Sequence, residues 1–295
     1  MKPSIKKTLA IGLVLGLVSL TTPAFATDPV PSVNYQFEGN TTDSGNGSTL
    51  TLASSCPADP CNATTSFGSA NNDGYLEWTS SNNRGGGFTI DTNTSLTNTY
   101  TVLMKFSFTN FSGYRKIIDY LNRTSDTGFY IHNSKINFYP LGTSTNSFTA
   151  GQDLTLMVTR QATNGNSGTF TVYTYDGASF SQQLQVTDNS GSSIPFISTL
   201  HSGGTKLGFF FDDTATSSEA TTSGRVYSIK MWDGIALDAT QLEAAATAPA
   251  SAPTPTPNDS ESLANTGRDT NSLTAFALLA IACGVAIFRF TSKKA

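Results

Sequence analysis

Between residues 30 and 235 the chain carries almost no helical periodicity; short alternating or apolar runs recur instead, set apart by Gly, Asn, Asp and Ser. That patterning narrows the fold class, because side chains alternate faces along a strand and a half-buried sheet needs apolar residues at every second position. The segment from Tyr100 to Phe108 is the sharpest case. Val102, Met104, Phe106 and Phe108 share one parity there, which predicts a strand with one core face and one wet face. Further strands are predicted at 33–37, 75–78, 88–90, 116–120, 128–131, 135–139, 154–160, 169–175, 207–211 and 225–232. Trp78 and Trp232 fall inside strands and are expected in the core, where Phe and Tyr supply most of the buried area. After Trp232, Asp233-Gly234 turns the chain, and Asp238 is the N-cap of a short closing helix carrying Gln241, Leu242 and 244–246.

The two ends read differently. Lys2, Lys6 and Lys7 precede an apolar stretch at 9–20 and then Pro23-Ala24-Phe25-Ala26, the order of a secretory signal cleaved after Ala26. That stretch is shorter than the roughly 20 residues of a membrane span. Residues 1–26 are therefore assigned as signal peptide and 27–245 as one large all-β domain. Residues 246–262, with Pro253-Thr254-Pro255-Thr256-Pro257, cannot bury a core and form a disordered, semi-rigid stalk. A second apolar run at 273–288 is followed by Arg289, Lys293 and Lys294, the pattern of a membrane helix with a cationic stop.

Charge separates along the same boundaries. Of 17 Lys and Arg, seven (Lys2, Lys6, Lys7, Arg268, Arg289, Lys293, Lys294) sit at the ends, leaving ten between Thr27 and Gly267 against twenty of the 21 Asp and Glu. An acidic surface without a basic groove excludes nucleic acid and suits neutral sugars or divalent cations. Cys56 and Cys61 bracket Pro57-Ala58-Asp59-Pro60 in an exported domain and are expected to form a disulfide. Cys283 lies in the apolar tail.

The pentapeptide Leu263-Ala264-Asn265-Thr266-Gly267, ahead of that apolar run and basic tail, resembles the sorting signal read by sortases. Those transpeptidases cleave between Thr and Gly and join the Thr carbonyl to a wall-precursor amine. Ala264 stands where the common pattern has proline, which fits the Leu-Ala-x-Thr-Gly variant associated with class E sortases of high-GC Gram-positive bacteria. The resemblance implies a protein held by the membrane before sorting, with sortase and peptidoglycan precursor as partners, and then fixed to the cell wall through Thr266. A plain tail anchor is the alternative.

A second resemblance concerns the domain. Tyr35-Gln36-Phe37-Glu38-Gly39-Asn40, followed by Asp43-Ser44-Gly45-Asn46-Gly47, is similar to the opening of laminin-G-like domains of the concanavalin A-like superfamily. Asp176-Gly177 as a hairpin turn and Ile229-Lys230-Met231-Trp232-Asp233 before the helix match later parts of that pattern over roughly 32–245. What this implies is a jelly-roll sandwich of antiparallel sheets. The superfamily holds lectins, hydrolases, adhesins and spacers, so fold alone does not settle activity.

Three chemistries remain. The superfamily's laminarinase-type hydrolases carry a Glu-x-Asp-x-Glu strand that sets two carboxylates about 5 Å apart; here Glu38, Glu77, Glu219 and Glu243 are isolated, and His132 and His201 flank no nucleophile elbow. The chain is expected not to be an enzyme. Asp212, Asp213 and Glu219 place three carboxylates in one loop, a candidate set for the Ca²⁺ that laminin-G-like domains often carry; the competing reading is a solvated turn whose carboxylates cap backbone amides. Tyr114, Arg115, Asn122, Arg123, Asp126 and Tyr139 supply the ring and the polar groups that a pyranose needs, and are the candidate ligand site. The expected function is carbohydrate binding or adhesion to a host-surface glycan, by a secreted, wall-anchored protein. The alternatives are a structural spacer or coat protein and, behind it, a glycan hydrolase.

Overall fold

The computed structural model describes residues 28–52, 63–80, 86–191, 196–199, 204–211, 213, 215 and 222–248, all in the first of two compact units, 1–251. The signal peptide, the spacer beyond 248, Leu263 to Gly267, the apolar tail, Cys56, Cys61, His201, Asp212 and Glu219 lie outside the described residues.

In chain order the elements are β1 (Val33–Gln36), β2 (Thr49–Leu52), β3 (Ala63–Ala70), β4 (Asp73–Ser80), β5 (Phe88–Asp91), β6 (Tyr100–Phe108), β7 (Tyr114–Asp119) and β8 (Gly128–His132). There follow β9 (Lys135–Tyr139), β10 (Gly142–Thr143), β11 (Leu154–Asn164), β12 (Ser167–Tyr175), β13 (Phe180–Asp188), β14 (Lys206–Phe209), β15 (Gly224–Asp233) and α1 (Ala239–Thr247). They form two antiparallel sheets. The eight-stranded sheet runs β13-β12-β11-β6-β15-β4-β3, with β1 also on β15, and the seven-stranded sheet runs β10-β9-β8-β7-β14-β5-β2. The expected all-β sandwich is what the chain forms.

The inner faces meet in one aromatic core. From the eight-stranded sheet come Val102, Met104, Phe106, Phe108 and Phe170, and from the other Phe88, Ile118, Phe129, Ile131 and Phe138. Phe138 stacks on Phe170 across the gap at 4.2 Å, and Phe210 packs on Trp78 at 5.0 Å. Each such ring removed from water is worth about 1.5–3 kcal/mol, which is why alternation in the sequence predicts this layer. The opening turn is held by one side chain. Asp43 accepts the N–H of Asn34 (2.7 Å) and Gly45 (2.8 Å), together with the N–H and hydroxyl of Ser48 (2.8 Å each). A Cβ at Gly45 would run into the Ser32 carbonyl, so the position is closed to other residues.

The face of β6 expected to be wet is partly covered. Leu103, on the parity opposite Val102, is buried with Met157, Trp232, Leu237 and Leu242 in a second cluster beneath α1. Trp232 is thus buried as expected, but under the helix and not between the sheets. The helix starts as predicted: Asp238 accepts the Gln241 N–H at 2.9 Å while the Gln241 side chain accepts the Asp238 N–H at 3.0 Å, a reciprocal cap.

Candidate functional site

Three neighbouring strands, β7, β8 and β9, put a chemically distinct surface on the outer face of the seven-stranded sheet. Register sets Tyr114 opposite His132 and His132 opposite Lys135; one step along, Lys116 faces Tyr130 and Tyr130 faces Asn137. Phe129, Ile131, Ile136 and Phe138 take the other parity and fill the core. β7 breaks the alternation. It bulges between Lys116 and Ile118, Ile117 and Ile118 both join the core, and Asp119 consequently returns to the face that carries Lys116.

The outer face has two halves. At one end Tyr114 lies flat on His132, with ring centroids 3.8 Å apart and planes 5° from parallel. Tyr130 meets the Tyr114 ring edge-on at 5.4 Å and Tyr139 does so at 5.8 Å. Tyr114, His132, Lys135 and Tyr139 are all partly exposed, whereas Tyr130 is buried beneath them. The result is a small aromatic platform with a cation at its rim.

At the other end the polar groups are sealed. The Lys116 ammonium lies 5.0 Å above the Tyr130 ring. It donates to Asp213 Oδ2 at 2.8 Å and to the Ser125 carbonyl at 3.2 Å. The Lys116 and Asp213 side chains are only 1% and 0% exposed. Asp213 Oδ1 accepts the Ala215 N–H at 2.8 Å. Asp119 accepts the N–H of Leu121 (3.2 Å) and of Arg123 (2.5 Å). Burial pushes its carboxyl above the ordinary range, against the opposing pull of Lys116, and nearby Asp213 adds to the rise. The turn that covers this end passes through Asn122 and Arg123 at φ of 50° and 65°. Its Asp126 carbonyl takes the Tyr130 hydroxyl at 2.7 Å, and the Arg123 guanidinium stacks on Phe211 at 4.9 Å. Phe211 reaches this face because the strand predicted to run to 211 stops at Phe209. Phe210, at φ 63°, turns into the core and sends Phe211 outward, over Gly208, where a Cβ would strike its ring.

Of the residues expected in a ligand site, the fold gathers Tyr114, Arg123, Asp126 and Tyr139 on or beside this face. Arg115 is buried on the parity opposite Tyr114, across from Ile131, and Asn122 projects from the tip of the turn. Lys116, Asp119, Tyr130 and His132 belong to the face but were not expected there. The signal available was a Lys and an Asp flanking two isoleucines in β7. Among the described residues no three His, Cys, Asp or Glu gather into a metal site. Both carboxylate oxygens of Asp213 have donors from within the protein, one of them an ammonium, which does not fit a calcium ligand.

A second recess lies on the eight-stranded sheet, about 140 Å³ in volume, lined by Gln36, Asp73, Lys105, Ser228 and Lys230 and bordered by the end of α1. Lys105 pairs with Asp73 at 2.5 Å and covers the Tyr227 ring at 4.5 Å. Burial lowers the Lys230 ammonium below its usual pKa.

No protein family and no curated protein matches the sequence. Among solved structures, the chain is similar to a sialidase of Trypanosoma rangeli, at 12% identity over 73% of this chain and 33% of that one, with a TM-score of 0.45. It is similar also to botulinum neurotoxin type C, whose cell entry is described as dependent upon interaction with two ganglioside molecules (10% identity, 74% of this chain, 50% of that one, TM-score 0.40). A third is the carbohydrate-binding module of a Ruminococcus gnavus sialidase bound to sialyllactose (9% identity, 52% of this chain, 83% of that one, TM-score 0.38). The chain spans half or less of the first two structures. The expectation of a chain without catalysis is corrected here: an enzyme, the sialidase, stands among the similar structures, and a non-enzymatic class is no longer assigned.

Proposed function

We propose that the outer face of the seven-stranded sheet binds carbohydrate, with Tyr114, His132 and Tyr139 as the stacking platform, Lys135 as the hydrogen-bonding group at its rim and Arg123 as a second one on the turn at the far end of the same face. The observation that carries this is the flat, partly exposed Tyr114–His132 pair, 3.8 Å apart, flanked edge-on by Tyr139. A ring held rigidly by neighbours loses little freedom when a pyranose lies on it, and its C–H-rich face complements an aromatic surface. The acidic balance of 27–267 favours neutral over anionic polysaccharide. Binding of a single site is expected between roughly 10 μM and 1 mM, or about 4–7 kcal/mol, and many copies on one cell strengthen it by avidity.

The remainder of the proposal rests on the sequence. Signal peptide, Pro/Thr stalk and the Leu263-Ala264-Asn265-Thr266-Gly267 signal support an exported laminin-G-like domain joined to peptidoglycan through Thr266. Two assays test these parts separately. A neutral-polysaccharide array, with sugar release measured in parallel, should show binding that Tyr139→Ala weakens; an array without binders overturns the glycan reading. For anchoring, wild-type protein should resist detergent and need a muralytic enzyme for release, whereas Thr266→Ala should come away with detergent.

A further inference from the structure

Lys116 and Asp213 are placed for more than an ion pair. Each side chain is all but removed from solvent, at 1% and 0% exposure, and they meet at 2.8 Å. An oxygen at that distance puts the carbon bearing it close to the ~3–3.5 Å of a near-attack pair. A third group stands with them: the β7 bulge that swings Asp119 onto the face of Lys116 gives the pair a buried carboxyl as neighbour, itself 1% exposed. We propose that Lys116 Nζ and Asp213 Cγ condense into an intramolecular isopeptide bond, with Asp119 relaying the proton.

The chemistry closes without any co-reactant. Burying two charges is costly, and passing one proton from the ammonium to the carboxylate leaves a neutral amine and a neutral acid in a dry site. The Nζ lone pair attacks Cγ, and the N–C bond forms as the carbonyl electrons move onto oxygen. Asp119 gives its proton to the hydroxyl on Cγ and takes one from Nζ. The C–OH bond then breaks, its electron pair leaves with the hydroxyl, and water departs. One ammonium and one carboxylate become one amide and one water, with no change in net charge or oxidation state, and Asp119 ends as it began. Burial holds the Asp119 carboxyl above its ordinary pKa, which favours the protonated form such a relay starts from. The Tyr130 ring, 5.0 Å from Nζ, and the turn through Asn122 and Arg123 exclude the water that would drive the reverse reaction. The bond ties β7 to the segment after β14, its neighbour in the sheet, so the floor of the aromatic platform is locked covalently.

The test needs no variant to fold. Purified wild-type protein, fully denatured, should weigh one water less than its sequence, and trypsin should leave the bond after Lys116 uncut. Fragmentation should find a branched peptide joining the Lys116 and Asp213 segments. Lys116→Arg keeps the charge but cannot form the amide, and should show the full mass. Asp119→Asn should retain the fold by circular dichroism and accumulate the full-mass form. Wild-type protein of full mass, cleaved normally after Lys116, overturns the proposal; so does a water loss that maps to a succinimide elsewhere.

Discussion

Arg160 is a fully buried cation, and its loss of partner has a calculable effect. Its side chain and that of Asp188 are both 0% exposed. The guanidinium donates to Ser198 Oγ (2.7 Å), to the Asn98 carbonyl (2.5 Å) and to the Asn166 carbonyl, with Asp188 Oδ2 at 3.8 Å. Asp188 in turn accepts the N–H of Ile197 (3.2 Å) and Ser198 (2.8 Å) and the Ser198 hydroxyl (2.5 Å). Asp188→Ala leaves a buried cation without its counter-charge and three donors without an acceptor. Removing one partner of a buried pair costs about 3–5 kcal/mol. For a domain of this size each kcal/mol moves the melting temperature by about 2–4 °C, so the expected fall is about 6–20 °C. Thermal unfolding followed by fluorescence of Trp78 and Trp232, both buried, measures that fall, and urea unfolding the free-energy loss. The double variant Arg160→Met/Asp188→Ala should lose less than the two single variants added together, because the stranded charge goes with its partner, and that shortfall is the coupling read from the double-mutant cycle. A loss below about 1 kcal/mol for Asp188→Ala, or a double variant worse than both singles together, refutes the reasoning.

Three further outcomes are expected. Gly168→Ala should destabilise through the same network, because a Cβ there would sit 2.7 Å from Arg160 Nη1; urea midpoints of Gly168→Ala and Asp188→Ala combined should fall short of additive. Asp119, whose folded pKa is raised by burial above the ordinary 3.8, binds its proton more tightly folded than unfolded. Its contribution is therefore complete below that ordinary value and is lost as pH rises through the folded pKa; Asp119→Asn should flatten the urea-midpoint profile over that window and leave the rest of the curve parallel. Adding EGTA to calcium-loaded protein should leave the melting temperature unchanged, since the Asp213 oxygens are already bonded within the chain; a fall on chelation would return calcium to the loop.

Legibility in the sequence followed burial. β6, β8, β9, β11 and β12 press alternate residues into the core, so their patterns announced them. β2 (Thr-Leu-Thr-Leu), β3 (Ala-Thr-Thr-Ser-Phe-Gly-Ser-Ala) and β13 (Phe-Ser-Gln-Gln-Leu-Gln-Val-Thr-Asp) lie at sheet edges. Edge strands are held by backbone ladders on one side and need few apolar side chains, so hydrophobic periodicity passes over them. The N-cap at Asp238 was readable because capping is local. The candidate face was legible only in part, since Tyr114, Arg123, Asp126 and Tyr139 share a short stretch of chain. Asp119 became part of it through the bulge after Lys116, and Asp213 through a distant segment; neither leaves a periodic trace.

The central claim is that the platform of Tyr114, His132 and Tyr139 is where glycan sits. It is tested most directly by titrating isotopically labelled domain with a neutral oligosaccharide and mapping amide and side-chain shifts. The expected result is saturable change concentrated at Tyr114, Arg123, His132, Lys135 and Tyr139, with little at Gln36, Lys105 and Lys230 on the opposite sheet. Saturable shifts confined to that second recess, or no shifts at all for any glycan that the array retains, would contradict it.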